Sequence, residues 1–321
     1  MARRKLKFFL TFAVIIFAVV VLYGGLVGNK TSFCGNKTAF QKNKTPFCEN
    51  KTAFQSDKTA FCPNETPFCQ SKNKIDCNLL ANKCLALAEA MPSSNEKLIS
   101  LDHKYYFVGY NPSHKQAAWV AYLLTSEMIR QNDNVSRGNT NFKKDPLLRK
   151  HYAISKDYSH SGYVRGHLCP SKDMCWSEAS MRETFFMTNV SPQSEQFNNG
   201  LWKKLEKQVR TWALDNDSII VLTGPVLSTK KAEIGENKVS VCGKFYKIVV
   251  DISYPSYKMI AFVMDNANIK GNVYKYSCTV RDVERLTGLD FFPSCEDNPL
   301  IDSLESHTDI SLWKSEKIRT N

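Results

Sequence analysis

The sequence predicts an α+β domain built on a substantial antiparallel sheet. Two observations carry the expectation: apolar runs of strand length outnumber helical patterns, and the one long helical pattern has a clean apolar face. At 321 residues, 43% of them apolar, the chain can bury a real core and still carry a tail. The pattern becomes globular from about Cys84. KYYFVGYN (104–111) reads as a strand, and QAAWVAYLLTSEMIR (116–130) holds a second apolar run, Trp119 to Leu124, ending in polar residues. The polar stretch DNVSRGNTNFKKDP (133–146) follows as a loop, and ETFFMTNVSP (183–192) reads as a buried strand ending in a turn. NNGLWKKLEKQVRTWALDN (198–216) predicts a helix, because Leu201, Leu205, Val209 and Trp212 fall on one face. SIIVLTGPVL (218–227), FYKIVVDIS (245–253) and KMIAFVMDN (258–266) complete the strands. LIDSLESHTDISLWKSEKIRTN (300–321) reads as a tail able to pack as a helix.

Upstream of this domain the chain has a different character. Residues 1–78 hold 12 Lys and Arg against 4 Asp and Glu, so they supply most of the net charge of +12. Bulk charge therefore says little about what the folded part binds, and a nucleic-acid partner has to be argued from a site. After Arg3, Arg4, Lys5 and Lys7, residues 8–28 contain no charged side chain, a length suited to spanning a bilayer. The run is longer than a signal-peptide core and has only a poor cleavage site. An uncleaved anchor spanning 1–28 is therefore favoured, with the domain outside the cytosol, periplasmic or extracellular, and secretion if it is cleaved. Mitochondrial import is the lesser alternative. Residues 29–70 are six tandem heptads of the type NKTAFQK. Each has one strong apolar residue, and Pro46, Pro63 and Pro67 interrupt them, which excludes a coiled coil. They read as a low-complexity stalk reaching residue 78, with Asn-x-Thr glycosylation acceptors and cysteines able to link a homodimer or a disulfide-bonded oligomer. The 11 cysteines fit an oxidising compartment, and their spacing shows no paired Cys-x-x-Cys zinc motif.

The chemistry concentrates at SGYVRGHLCPSKDMCW (161–176) and at the helix. A lone histidine is more often structural, but His167 follows Arg165 and Gly166: an imidazole able to take a proton from water, a cation for phosphate and a glycine that admits close backbone approach. Asn198, Trp202, Glu206 and Arg210 recur every four residues, predicting a helical stripe on a face other than the apolar one. An i,i+4 ion pair is the plain reading of Glu206 and Arg210; the preceding amide-rich TNVSPQSEQFNNG adds neutral oxygen donors for a hard cation. Eight helical residues span roughly 12 Å, so Asn198 and Glu206 can serve one ion only through water, or with Asn198 before the helix proper. Cys169 and Cys175 read as structural thiols or disulfide partners, because no activating group accompanies either.

Taken together, GYVRGHLCPS, FFMTNVSPQSEQFNNGLWKKLE, VLTGPVL and LTGLDFFP resemble the DNA/RNA non-specific endonucleases, and the resemblance runs from about Tyr106 to Pro293. It implies the ββα-metal (His-Me finger) nuclease fold, a central antiparallel sheet flanked by helices, over 79–300, with 301–321 left as the tail. It also implies metal-dependent hydrolysis of DNA and RNA phosphodiesters with little sequence preference, using Mg2+ with Mn2+ as a substitute. His167 would then be the general base, Arg165 a phosphate contact and Asn198 the metal ligand. Glu206 would hold metal-bound water, Arg210 would stabilise the transition state, and Asn189 would position the histidine loop or the phosphate. The family signature is Asp-Arg-Gly-His, and here its first residue is Val164. That departure motivates an alternative, a catalytically impaired surface protein that binds nucleic acid. A third reading makes the cysteine-rich repeats the main business, as a cross-linked surface spacer.

Overall fold

The computed structural model describes residues 86–314, apart from 132–134, 137, 139, 254–256 and 296. The expected anchor and heptad stalk lie outside the described residues.

In chain order the strands are β1 (Ser93–Ser94), β2 (Ile99–Asp102), β3 (Phe107–Asn111), β4 (Gln116–Thr125), β5 (Val164–His167), β6 (Val190–Gln193), β7 (Ser218–Pro225), β8 (Lys230–Ile234), β9 (Val239–Cys242), β10 (Lys244–Asp251), β11 (Lys258–Asp265), β12 (Ser277–Cys278) and β13 (Leu289–Asp290). Seven of them form one antiparallel sheet in the order β12-β11-β10-β7-β4-β3-β2. Both faces of this sheet are covered, which is why its central strands read as nearly continuous apolar runs. Along β7, Ile219 and Val221 enter one core while Ile220 and Leu222 enter the other. Along β10, Phe245 and Val249 share the first face, and Tyr246, Ile248 and Val250 share the second.

The helices are α1 (Ser126–Arg130), α2 (Glu178–Glu183), α3 (Glu195–Asn199), α4 (Leu201–Asp215), α5 (Val280–Thr287) and α6 (Pro299–Ser306). Helix α4 buries Leu201, Leu205, Val209 and Trp212 in the first core, each such side chain contributing about 1.5–3 kcal/mol. The tail also belongs to that core. Trp313 is 2% exposed and packs edge-on against Trp212 at 4.9 Å, and its carbonyl accepts from Trp212 Nε1 (2.6 Å) and Tyr274 OH (3.0 Å).

Two sequence expectations are corrected. Residues 183–192 are not one strand: α2 ends at Glu183, Phe186 makes an isolated parallel bridge to Lys143, Met187–Asn189 is a 3-10 turn, and the strand itself is Val190–Gln193. The reason is local, because Thr184 Oγ1 donates back to the Met181 carbonyl (2.7 Å) and the Asn189 amide is spent on loop backbone. The helix over 198–216 is two helices broken at Gly200 (φ −96°, ψ −116°), where a Cβ would lie 2.2 Å from the Gln196 carbonyl oxygen.

Candidate active site

Strands β5 and β6 pair antiparallel, with His167 opposite Val190, Gly166 opposite Ser191 and Val164 opposite Gln193. A Cβ at 166 would lie 2.2 Å from Gln193 Cδ, so any larger residue there would require the buried Gln193 side chain to shift. The His167 ring sits between Phe142 (5.1 Å) and Phe185, which meets it edge-on at 4.9 Å, and its Nε2 is turned into the protein. Arg165 donates from Nη2 to the Ser155 carbonyl (2.7 Å), and its guanidinium lies over the rings of Tyr158 (5.7 Å) and Phe142 (5.9 Å). Asn189 is fully buried behind this ribbon. Its Oδ1 accepts from Cys169 N (2.8 Å) and its Nδ2 donates to the carbonyls of Cys169 and Thr184 (2.9 Å each), fixing the chain where it leaves His167.

Asn198, half-buried, lies near the end of α3, and α3 packs against β5. Its approach is clamped. Ser194 Oγ accepts from Phe197 N (3.3 Å), while Asn266 accepts from Ser194 N (2.7 Å) and donates to the Pro192 and Cys242 carbonyls (3.1 and 3.0 Å). The break at Gly200 puts Asn198 before the long helix, one of the two arrangements that would let it share an ion with Glu206. The single stripe expected from spacing is therefore corrected: Asn198 is on another helix, and Trp202 is fully buried in the core.

Arg210, on α4 one turn after Glu206, joins the histidine segment through a residue that sequence reasoning missed. Arg210 Nη1 meets Asp173 Oδ1 at 2.7 Å, with side chains 14% and 1% exposed, and Tyr122 OH donates to Asp173 Oδ2 at 2.8 Å. Asp173 closes the 3-10 turn Ser171–Asp173, six residues after His167. Lys247, from β10, was missed as well: fully buried, its Nζ lies 4.8 Å over the Trp202 ring. Burial pushes the Glu206 carboxyl up to about 7, against the pull of Lys247 and Arg210 and with the push of Asp173. Asp173 carried no readable sequence signal. Lys247 did, as one charge on a strand face shared with Phe245 and Val249.

Cys169 and Cys242 are buried thiols, and burial pushes Cys242 up to about 12, leaving it a poor nucleophile. Among the described residues no three His, Cys, Asp or Glu side chains form a metal cage. A cleft of about 410 Å³ lies between residues 154–161 and 233–236. Asp157, Glu233 and Glu236 give it the wrong sign for a phosphate backbone.

A two-stranded ribbon bearing a histidine, followed by a helix packed on it, is the ββα unit of a nuclease. Comparison with known proteins agrees. A family model described as DNA/RNA non-specific endonuclease matches residues 86–298. Nuclease C1 of Cunninghamella echinulata var. echinulata is 31% identical over 219 residues, 63% of this chain and 86% of that protein. The mitochondrial nuclease EXOG of Danio rerio is 30% identical over 213 residues, 61% of this chain, and the match spans 62% of its own length. A crystal structure of an EndoG/EndoGI complex superposes with a TM-score of 0.60 at 30% identity, covering 65% of this chain and 90% of that one. The chain belongs to the DNA/RNA non-specific endonuclease family. Endonuclease G of Homo sapiens, 29% identical over 203 residues, is named mitochondrial, as is EXOG. No helix among the described residues is long and apolar enough to cross a membrane.

Proposed function

We propose that the protein is an endonuclease that hydrolyses DNA and RNA phosphodiesters with a bound divalent cation and little sequence preference. The observation that carries this reading is the convergence of His167 on its ribbon, Asn198 on the helix packed against that ribbon, and Arg210 tied to the same segment through Asp173, with Glu206 one helical turn before it. The donor set fits a hard, water-rich ion such as Mg2+, with Mn2+ as a substitute. Asn198 would hold it through one amide oxygen and Glu206 would hold water bound to it, which suits an ion that keeps most of its water. Such an ion would supply positive charge to a phosphate oxygen and the leaving group.

The chain's own residues do the rest. The His167 imidazole takes the proton from the attacking water, and Phe142 and Phe185 hold the ring at its angle. Glu206 orients water around the ion. Arg210, held by Asp173, and Arg165 place positive charge where the phosphorane develops. Asn189 keeps the histidine loop in register. A site that reads phosphate leaves base identity unread.

The test is digestion of supercoiled plasmid and single-stranded RNA by the full chain, with Mg2+ or EDTA, beside His167→Ala. Cation-dependent cutting of both, lost in the variant, is expected. Retarded but uncut plasmid would instead favour a surface nucleic-acid-binding protein, the outcome to which Val164 and the Arg165–Ser155 bond lend weight. For location we propose that residues 8–28 anchor the protein with the nuclease domain outside the cytosol. Protease protection of a C-terminal tag, with mitochondrial import as the competing outcome, decides it.

A further inference from the structure

The two aromatic rings that flank His167 come from different parts of the chain. Phe142 belongs to the segment between α1 and β5, and Phe185 to the segment between α2 and β6; the two rings meet at 5.1 Å. Main-chain bonds join these segments beside the rings, where Lys143 N donates to the Phe185 carbonyl (3.0 Å) and Met187 N to the Lys143 carbonyl (2.9 Å). A second link lies three residues beyond each ring. Asp145 is 1% exposed, and its carboxyl group meets three donors: Leu147 N at Oδ1 (2.8 Å), and both His103 Nε2 (2.9 Å) and the Thr188 hydroxyl at Oδ2.

Burial pushes the Asp145 carboxyl up, but the bonds from His103, Thr188 and Leu147 outweigh it and hold the group below the usual carboxylate range. An ionised carboxylate only accepts, so His103 carries a proton on Nε2 and donates it to the bond. Charge-assisted bonds are roughly twice as strong as neutral ones, so this link is stronger than the main-chain bridge beside it. His103 also brings in the main sheet. It lies in the turn between β2 and β3, its N donates to the Tyr106 carbonyl (3.1 Å), and its ring packs against those of Tyr106 (4.7 Å) and Phe186 (5.2 Å). The Tyr106 hydroxyl donates in turn to the Glu183 carbonyl (2.7 Å). The turn therefore grips the chain on both sides of Phe185. Thr188, the last member of the network, adjoins Asn189, whose amide fixes the backbone leaving His167.

We propose that Asp145 and His103 are positioning residues of the active site: their buried pair, closed by Thr188, ties the segments carrying Phe142 and Phe185 to the main sheet and so sets the angle of the His167 ring. The proposal rests on the nuclease reading for its consequence and on the fold for its geometry. Buried themselves, both residues act through Phe142, Phe185 and Asn189.

The test uses the full chain with His103→Leu, which removes the donor, and His103→Gln, whose amide nitrogen can take the place of Nε2. The His167 ring is followed by its Cε1–H resonance in histidine-labelled, metal-free protein at constant pH and assigned by its absence in His167→Ala. Ring currents from Phe142 and Phe185 make that resonance a gauge of the angle. His103→Leu is expected to shift it and to lower kcat on plasmid about tenfold or more, with KM changed less than about threefold. His103→Gln should return both readings toward wild type. Val283→Ala is the control: it lies in the second core, across the main sheet from the Leu168 and Cys169 that follow His167, and should lower Tm while leaving the resonance in place. An unmoved resonance or unchanged kcat in His103→Leu, no recovery in His103→Gln, or an equal shift in Val283→Ala overturns the proposal. If His103→Leu does not fold, Thr188→Val, which deletes one of the three donors and keeps the shape of the side chain, decides by the same readings. The resonance needs no cleavage, so a wild type that cuts nothing would defeat the nuclease reading while the seating of the ring stands or falls on the spectrum.

Discussion

Asp173→Asn should unmake the joint between the long helix and the histidine segment. The substitution keeps the size of the side chain and one acceptor oxygen but removes the charge that meets Arg210 at 2.7 Å, with the two side chains 14% and 1% exposed. Solvent screens a pair this enclosed only weakly, and stripping one partner from a buried ion pair costs about 3–5 kcal/mol. Asparagine can still accept from Tyr122 OH, now at 2.8 Å, so the lower end, about 3 kcal/mol, is expected. For a domain of this size that corresponds to a fall in Tm of about 6–12 °C. Thermal unfolding followed by circular dichroism at pH 7.5 measures it. Arg210→Met should then cost much less in the Asp173→Asn background than in wild type, because the two remove the same interaction. A fall of less than about 2 °C, or additive losses, would mean that the pair contributes nothing and that α4 is held by its apolar face alone.

Other perturbations separate the remaining parts. Glu305 is 3% exposed and burial, with Glu284, pushes it up to about 7 against Arg281, which bridges Glu284, Asp302 and Glu305 at 2.9–3.0 Å. Its folded pKa lies above the unfolded value, so its contribution to stability is complete in acid and is lost as pH rises from about 4.5 through about 7. Glu305→Gln should therefore raise Tm at pH 8 and leave it nearly unchanged at pH 4, as a pH series of melts would record. Trp313→Ala should cost about 3–5 kcal/mol in urea unfolding, since it empties a site walled by Trp212. Val164→Asp restores the family's acidic residue at a half-buried position beside Arg165. One charge-assisted hydrogen bond gained there should speed plasmid cleavage about tenfold; an unchanged rate would mean that the aromatic rings around His167 already orient it sufficiently.

Much of the sheet was legible because β4, β7, β10 and β11 are buried on both sides, which leaves uninterrupted apolar runs in the sequence. The β8–β9 hairpin was not: four of the five residues of β8 are exposed, and KKAEI has no pattern to read. The long helix was found from Leu201, Leu205, Val209 and Trp212, but its true start was hidden. Helical periodicity continues across Gly200 although the backbone does not. His167 and Asn198 were found because their neighbours in sequence belong to a motif. Asp173 acts on Arg210, far away in the chain, so only the folded arrangement reveals it, whereas Lys247 stands in the sequence as one charge on an apolar strand face.

The seat of Trp313 bears on where this enzyme can be cut. Recognition by family stops at residue 298, yet the chain continues until an indole is seated against Trp212, on the helix that also carries Glu206 and Arg210. An expression boundary drawn at the end of the recognised segment would leave that seat vacant and expose the last turn of this helix to water. The packed unit is longer than the homologous one, and a tryptophan outside the recognised segment belongs to its core.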